Sequence, residues 1–145
     1  MAATNSMPGY LLDADVVNAA RKGAKAPPGV RSWFERVAPD ERYLPVQAVA
    51  QWRAGIRQLW RRGASMEALA MEGWLEAVLR EYAARLLEFD LDCALVWARL
   101  QDHGRGVDGQ IAAMGIAHGL TVVSGRLDRY AGSGLRLENP FSHNA

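Results

Sequence analysis

The sequence predicts an α/β protein with a three-layer fold: a mainly parallel central sheet of about five strands flanked by helices. Three observations carry this reading. Short apolar runs rich in branched residues alternate with longer stretches of helical period along the chain. Strands separated by helices pair in parallel, because each helical crossover returns the chain to the same end of the sheet. Of the 145 residues, 50% are apolar and 23% charged, which suits a single globular core.

The elements follow in order. Residues 1–9 read as a short N-terminal leader, with Met7 as a second start, and residues 10–145 as a single domain. "YLLDADVV", from Tyr10, reads as the first strand, and "VVNAARKG" as a short helix stopped by Gly23. "AKAPPG" breaks the chain. "GVRSWFERVA" is helical, with Val30, Trp33, Phe34 and Val37 on one face, and "PDER" is a turn. "RYLPVQAV" is the second strand, although Pro45 has no N–H for a central ladder. A helical period runs from Ala48 to Leu59 and ends in the basic "WRRG". Ser65 is the expected cap of the long helix "MEALAMEGWLEAVLREYAARL". These two helices are expected to form a pair standing off one side of the sheet. "RLLEFD" is a brief strand, and Asp90 caps "LDCALVWARLQDHG". Asp108 opens "DGQIAAMGIAHG", which Gly119 closes. "LTVVSG" is a strand, "RLDRYAG" a turn of helix, and "LRLENPF" a terminal strand.

Several function classes lose support. The net charge of +1 sets up no global field for nucleic acid or a membrane surface. Cys93 is the lone cysteine, so no internal disulfide forms and a reducing compartment fits. There is neither a signal peptide nor an apolar run long enough for a bilayer, so a cytoplasmic protein with no membrane partner is expected. Glycine-rich phosphate loops, a nucleophilic serine elbow and a Cys-His metal spacing are absent.

Open parallel sheets build sites outside the carboxyl ends of their strands. Asp13 and Asp15 fall at the end of the first strand. Gln51 lies about one turn into the helix after the second, Asp90 follows the third, and Ser124 to Asp128 follow the fourth. Asp13 sits among Leu11, Leu12, Val16 and Val17, which argues against an exposed strand and for function. Asp15 could equally begin a turn. Asp108 alone reads as a helix-start acid, and Asp90 as a cap. His118, His103 and His143 read as structural. Carboxylates that converge in a cleft repel unless a cation holds them, and hard divalent ions take oxygen ligands. A metal-dependent phosphodiester cleft is the resulting hypothesis. The Arg61 and Arg62 cluster reads as a solvated helix end that could also touch RNA phosphates.

The segments "YLLDADVVNAARKG", "YLPVQAVAQWRAGIRQL", "FDLDCALVWARL", "VDGQIAAMGIAHGLTVVSGRLDRY" and "LRLENPF" occur in the order and spacing of a PIN-domain protein. From Tyr10 to Phe141 the chain resembles the VapC/FitB-like branch, the toxin half of bacterial type II toxin–antitoxin modules, also called plasmid stability proteins. The resemblance implies a PIN-like fold and an acidic cleft that binds Mg²⁺ or Mn²⁺ and cleaves single-stranded RNA. It also implies a homodimer and a cognate antitoxin that enters the cleft. By position, the family's first acid is Asp13, its following asparagine matches Asp15, and its third acid is Asp108. The glutamate of a pattern like "E-[IL]-x-x-G" falls on Gln51, and the fourth acid or asparagine on Arg126. Gln51 keeps an oxygen but loses charge. Arg126 puts a guanidinium, which cannot ligate a metal, where the family has an acid or amide. Asp128, two residues on, could substitute, but the short helix is expected to turn it in another direction, and Arg126 is free to pair with Asp13, Asp15 or Asp108. The expectation is a metal-dependent endoribonuclease toxin with catalytic residues Asp13, Asp15, Gln51 and Asp108, metal ligands Asp13 and Asp108, and a weakened site. The alternative is a catalytically inactive PIN-fold module that dimerises and binds an antitoxin or RNA. A third reading takes "LLDADVV" as the D-x-D of haloacid-dehalogenase-like phosphatases. It lacks the downstream lysine and acidic pair.

Overall fold

The computed structural model describes residues 9–100 and 106–142. Most of the expected leader, His103, His143 and the end of the helix expected to run through Gly104 lie outside the described residues.

Five strands form one parallel sheet in the order β3-β2-β1-β4-β5: β1 (Tyr10–Leu12), β2 (Arg42–Pro45), β3 (Leu86–Leu87), β4 (Thr121–Val123) and β5 (Leu137–Glu138). Six helices accompany it: α1 (Ala14–Ala20), α2 (Pro28–Arg36), α3 (Val46–Arg61), α4 (Ser65–Glu81), α5 (Leu91–Arg99) and α6 (Gly106–His118). The three layers follow from the strand period of two. Leu12, Leu44 and Val123 point to one face and pack with residues of α1 to α4. Leu11 and Val122 point to the other and pack with Cys93 of α5 and Ile111, Ala112 and Met114 of α6. Winding goes from β1 outward through β2 and β3, then restarts at β4 on the other side of β1. The reversal between β1 and β4 is where such sheets leave a ligand crevice.

Four local expectations are corrected. The run "DADVV" is not strand: β1 stops at Leu12, and Asp13 is the N-cap of α1, its side chain accepting from the Ala14 N–H at 2.9 Å. Val16 and Val17 are buried as helical residues instead. A short apolar run fits either period, and the capping bond decides. Pro45 ends β2 and starts α3 at once, so "VQAV" is helix and the ladder needs no donor beyond it. Ser65 is the first residue of α4 and not its cap; Ala64 holds that place without a side-chain bond. Helix α6 begins at Gly106, two residues before Asp108. The α3–α4 pair rests on the sheet at its base, while Trp60, Met66 and Leu69 at its far end are exposed. Trp52 meets Trp74 edge-on at 4.9 Å, and Ile56, Leu75 and Val78 join the core under Leu12 and Leu44. Among the described residues no helix is long and apolar enough to cross a membrane.

Candidate active site

Asp13 is built into the crevice by the sheet itself. Its N–H donates to the Val123 carbonyl at 2.9 Å, which ties the end of β1 to the end of β4. Its carboxylate is buried, 7% exposed, yet fully engaged. Oδ1 accepts from the Ala14 N–H, while Oδ2 accepts the Ser124 hydroxyl at 2.8 Å and the Tyr130 hydroxyl at 2.9 Å. Three donors offset the cost of burying the charge. Ser124 in turn accepts the Arg126 N–H at 2.9 Å, so one hydroxyl links the acid to the loop after β4. Burial first, and the Asp13 charge second, push the Tyr130 phenol far above its ordinary value, so it stays a donor.

Asp15, in the first turn of α1, faces the same loop. One oxygen accepts the Gly125 N–H at 3.0 Å; the other is buried without a partner. Burial, and then the Asp13 charge, raise its carboxyl above the ordinary 3.8. Gly125 must lack a side chain here: a Cβ would stand 2.8 Å from the Phe141 ring and 2.9 Å from the Asp15 carboxylate.

A cavity of about 400 Å³ opens over these acids, lined also by Asn18, Gln51, Trp52, Arg126 and Arg129. Gln51 comes from α3 and is exposed to the cleft. Asp108, in the first turn of α6, does not line this cavity. It approaches through Arg129, whose guanidinium lies 3.6 Å from its carboxylate. Burial raises the Asp108 carboxyl, Arg129 opposes the rise, and the Asp13 charge adds to it. The acids therefore share one electrostatic neighbourhood. Arg126 lines the cavity, but the ion pair expected of it belongs to Arg129. Asp128 is exposed and does not line the cavity, because the 3-10 turn Leu127–Tyr130 turns it outward.

Sequence reasoning missed Tyr130, Arg129 and the contacts of Ser124 and Gly125. Ser124 and Gly125 stood within the stretch singled out after the fourth strand. Tyr130 and Arg129 carried no usable signal, because a short turn and not a period places them. Asp90 caps α5 through a bond from the Cys93 N–H at 3.1 Å. It belongs to the opposite helical layer and takes no part in the cleft.

The arrangement offers oxygen donors of the hard type. The partnerless Asp15 oxygen, and two carboxyls raised mainly by burial, mark a place where a cation would be welcome. Asp13 and Asp15 at the cavity, and Asp108 behind Arg129, are the residues that would hold a divalent ion here, Asp108 only if the Arg129 guanidinium yields it.

No family model matches the chain. Whole-chain relatives do. The "Plasmid stability protein StbB" of Pseudomonas syringae pv. tomato is 30% identical over 138 residues, 90% of this chain and 97% of the relative. "VapC ribonuclease Y4jK" of Sinorhizobium fredii is 29% identical over 139 residues, 90% of this chain and 96% of the relative. Among solved structures, FitAcB from Neisseria gonorrhoeae superposes with a TM-score of 0.79 at 25% identity, covering 92% of this chain and 99% of that one. DNA-bound VapBC from Salmonella typhimurium shares the fold, with a TM-score of 0.71 at 20% identity over 92% of this chain and 99% of that one. The parallel sheet, its crevice at β1 and β4 and these whole-length relatives agree: the chain belongs to the VapC/FitB-like family of PIN-domain toxins.

Proposed function

We propose that the chain is the toxin of a type II toxin–antitoxin pair: a Mg²⁺- or Mn²⁺-dependent endoribonuclease for single-stranded RNA, with a cleft attenuated by its own cations. The observation that carries this is the buried, partnerless Asp15 oxygen beside the anchored Asp13, in the crevice between β1 and β4. An ion bound there would polarise a phosphodiester and lower the pKa of its water. The chain supplies the rest. Ser124, Tyr130 and the Ala14 N–H fix the orientation of Asp13. Gln51 adds a neutral donor and acceptor at the cavity wall, and Arg126 a guanidinium able to grip a phosphate.

Attenuation comes from two observations. Gln51 brings no charge, and Arg129 already neutralises Asp108. The latter pair is partly exposed, with side chains 39% and 33% accessible, so it is worth about 1 kcal/mol or less. A divalent ion can therefore displace it at modest cost. An antitoxin partner is supported by relatives solved as FitAB and VapBC assemblies. Exposed apolar side chains, among them Met66, Leu69, Leu91 and Leu95, suit protein contacts, the homodimer included.

The same Arg129 contact favours a second reading, a PIN-fold binding module without chemistry. One assay separates the two: cleavage of single-stranded RNA with Mn²⁺, for the natural chain and for Asp13→Asn. Cleavage by the former alone supports the enzyme. Equal cleavage by both, or none by either at millimolar Mn²⁺, discards catalysis at this cleft.

A further inference from the structure

Helices α5 and α6 pack along one another on the face of the sheet that holds Leu11 and Val122. Where the start of α5 meets the end of α6, three metal-ligating side chains gather. Asp90, Cys93 and His118 each bring a donor atom within 4.8 Å of the others. Cys93 and His118 lie 25 residues apart, so no sequence spacing announces them, yet the thiol sulfur and His118 Nε2 are 3.8 Å apart. Asp108 sits at the opposite end of α6, ten residues or about 15 Å away along the helix, so this cluster is separate from the acidic cleft.

We propose that Asp90, Cys93 and His118 form a site for a thiophilic divalent transition metal, Zn²⁺ foremost, that joins the start of α5 to the end of α6. The donor set decides the class of ion. Thiolate and imidazole select Zn²⁺ and its neighbours, whereas Mg²⁺ and Mn²⁺ prefer the oxygen donors of the cleft. The distance also fits. With metal–sulfur and metal–nitrogen bonds of about 2.3 and 2.0 Å, a 3.8 Å separation corresponds to an S–metal–N angle of about 120°. Cys93 is fully buried while Asp90 and His118 are exposed, so the sulfur forms the floor and the other two the rim. Asp90 caps α5 with one oxygen, and a carboxylate has further lone pairs to offer. Solvent supplies the fourth ligand of a tetrahedron. Binding releases the Cys93 thiol proton to solvent, so affinity rises with pH.

Co²⁺ is the probe, titrated into the full chain. The expected result is a sulfur-to-cobalt charge-transfer band in the near ultraviolet, removed by competing Zn²⁺. Cys93→Ser abolishes the band. Asp90→Ser keeps a helix cap but removes the carboxylate, and His118→Gln removes the imidazole. Each weakens Co²⁺ binding by at least the roughly 10- to 100-fold that loss of a mere outer-shell partner costs. Asp13→Asn leaves the band unchanged, which keeps this result independent of the cleft. The proposal is overturned if the natural chain shows no band at millimolar Co²⁺. It is equally overturned if Asp90→Ser and His118→Gln bind as tightly as the natural chain, which would mean adventitious binding to the thiol.

Discussion

Asp13 lines the cleft and forms its inner wall, Asp108 stands outside it behind Arg129 as an outer wall, and the fold treats the two in opposite ways. Asp13 is buried and receives three hydrogen bonds from Ala14, Ser124 and Tyr130. Asp108 is a third accessible, and its ion-pair partner is the guanidinium of Arg129, itself 39% accessible. The inner wall is part of the core, joined to β4 through the bond from Asp13 to Val123. The outer wall is surface. A charge that the core surrounds cannot change without leaving hydroxyls stranded, whereas a surface charge can reverse with little effect on folding. On the proposed function, the inner wall fixes where the site is, and the rim would set how strongly it holds a cation.

The largest effect should come from the inner wall. Asp13→Ala leaves the Ser124 and Tyr130 hydroxyls buried without their acceptor, which should cost about 3 kcal/mol. At this chain length that lowers the melting temperature by roughly 10 °C. Asp108→Ala should stay within about 0.5 kcal/mol, since it removes a partly exposed ion pair. Thermal unfolding of both variants measures the contrast, and equal losses would break it.

Gly125→Ala comes next, because it strikes the seam between the walls. A methyl group there meets the Asp15 carboxylate and the Phe141 ring at under 3 Å. Phe141 is partly exposed and can swing aside, but Asp15 is fixed in the first turn of α1. A cost of about 1–2 kcal/mol is expected from such overpacking, read as a lower urea midpoint with an unchanged slope.

These two walls also differ in how far they could be read from the sequence. The order of strands and helices was legible because its signals are periods, and periods survive without knowledge of packing. Asp13 was legible because an acid inside "LLDADVV" conflicts with its apolar neighbours. From sequence the strand nevertheless reads too long, since nothing in the run says that Asp13 caps a helix rather than ending a ladder. Arg129 and Tyr130 were illegible. A 3-10 turn of four residues has no period to reveal which side chains return to the cleft, so Arg126 was expected in the ion pair that Arg129 makes. The Cys93–His118 contact was hidden for a related reason: helix packing, not spacing, brings the two together.

The rim offers a test in which affinity moves and stability does not. Arg129→Gln releases Asp108 from its ion pair and removes a positive charge from the cavity. Mn²⁺ affinity should rise about tenfold, worth 1.4 kcal/mol. Unfolding should shift by less than about 1 kcal/mol. Calorimetric titration of Mn²⁺ against both proteins is the measurement. An unchanged affinity would mean that Arg129 does not govern the outer wall.

The smallest effect concerns Asp15, which lies between the walls and shows which way its charge pulls. Its carboxyl is raised above 3.8, first by burial and then by Asp13. The folded chain therefore keeps a proton at pH values where the unfolded chain has lost it. Stability must then fall as pH rises from 3.8 to the higher folded value, and the loss is complete above that value. Asp15→Asn removes this dependence, keeps an acceptor for the Gly125 N–H and offers an amide where the partnerless oxygen stands. Without metal at neutral pH it should stabilise the fold by about 1 kcal/mol, the scale for a buried acceptor left unmatched. The two proteins should converge as the pH falls below 3.8. Mn²⁺ should reverse the order by stabilising the natural chain more, because only a carboxylate at this position returns charge to the ion. If Asp15→Asn is the less stable protein without metal, the Asp15 charge belongs to the inner wall after all, satisfied in the way that Asp13 is.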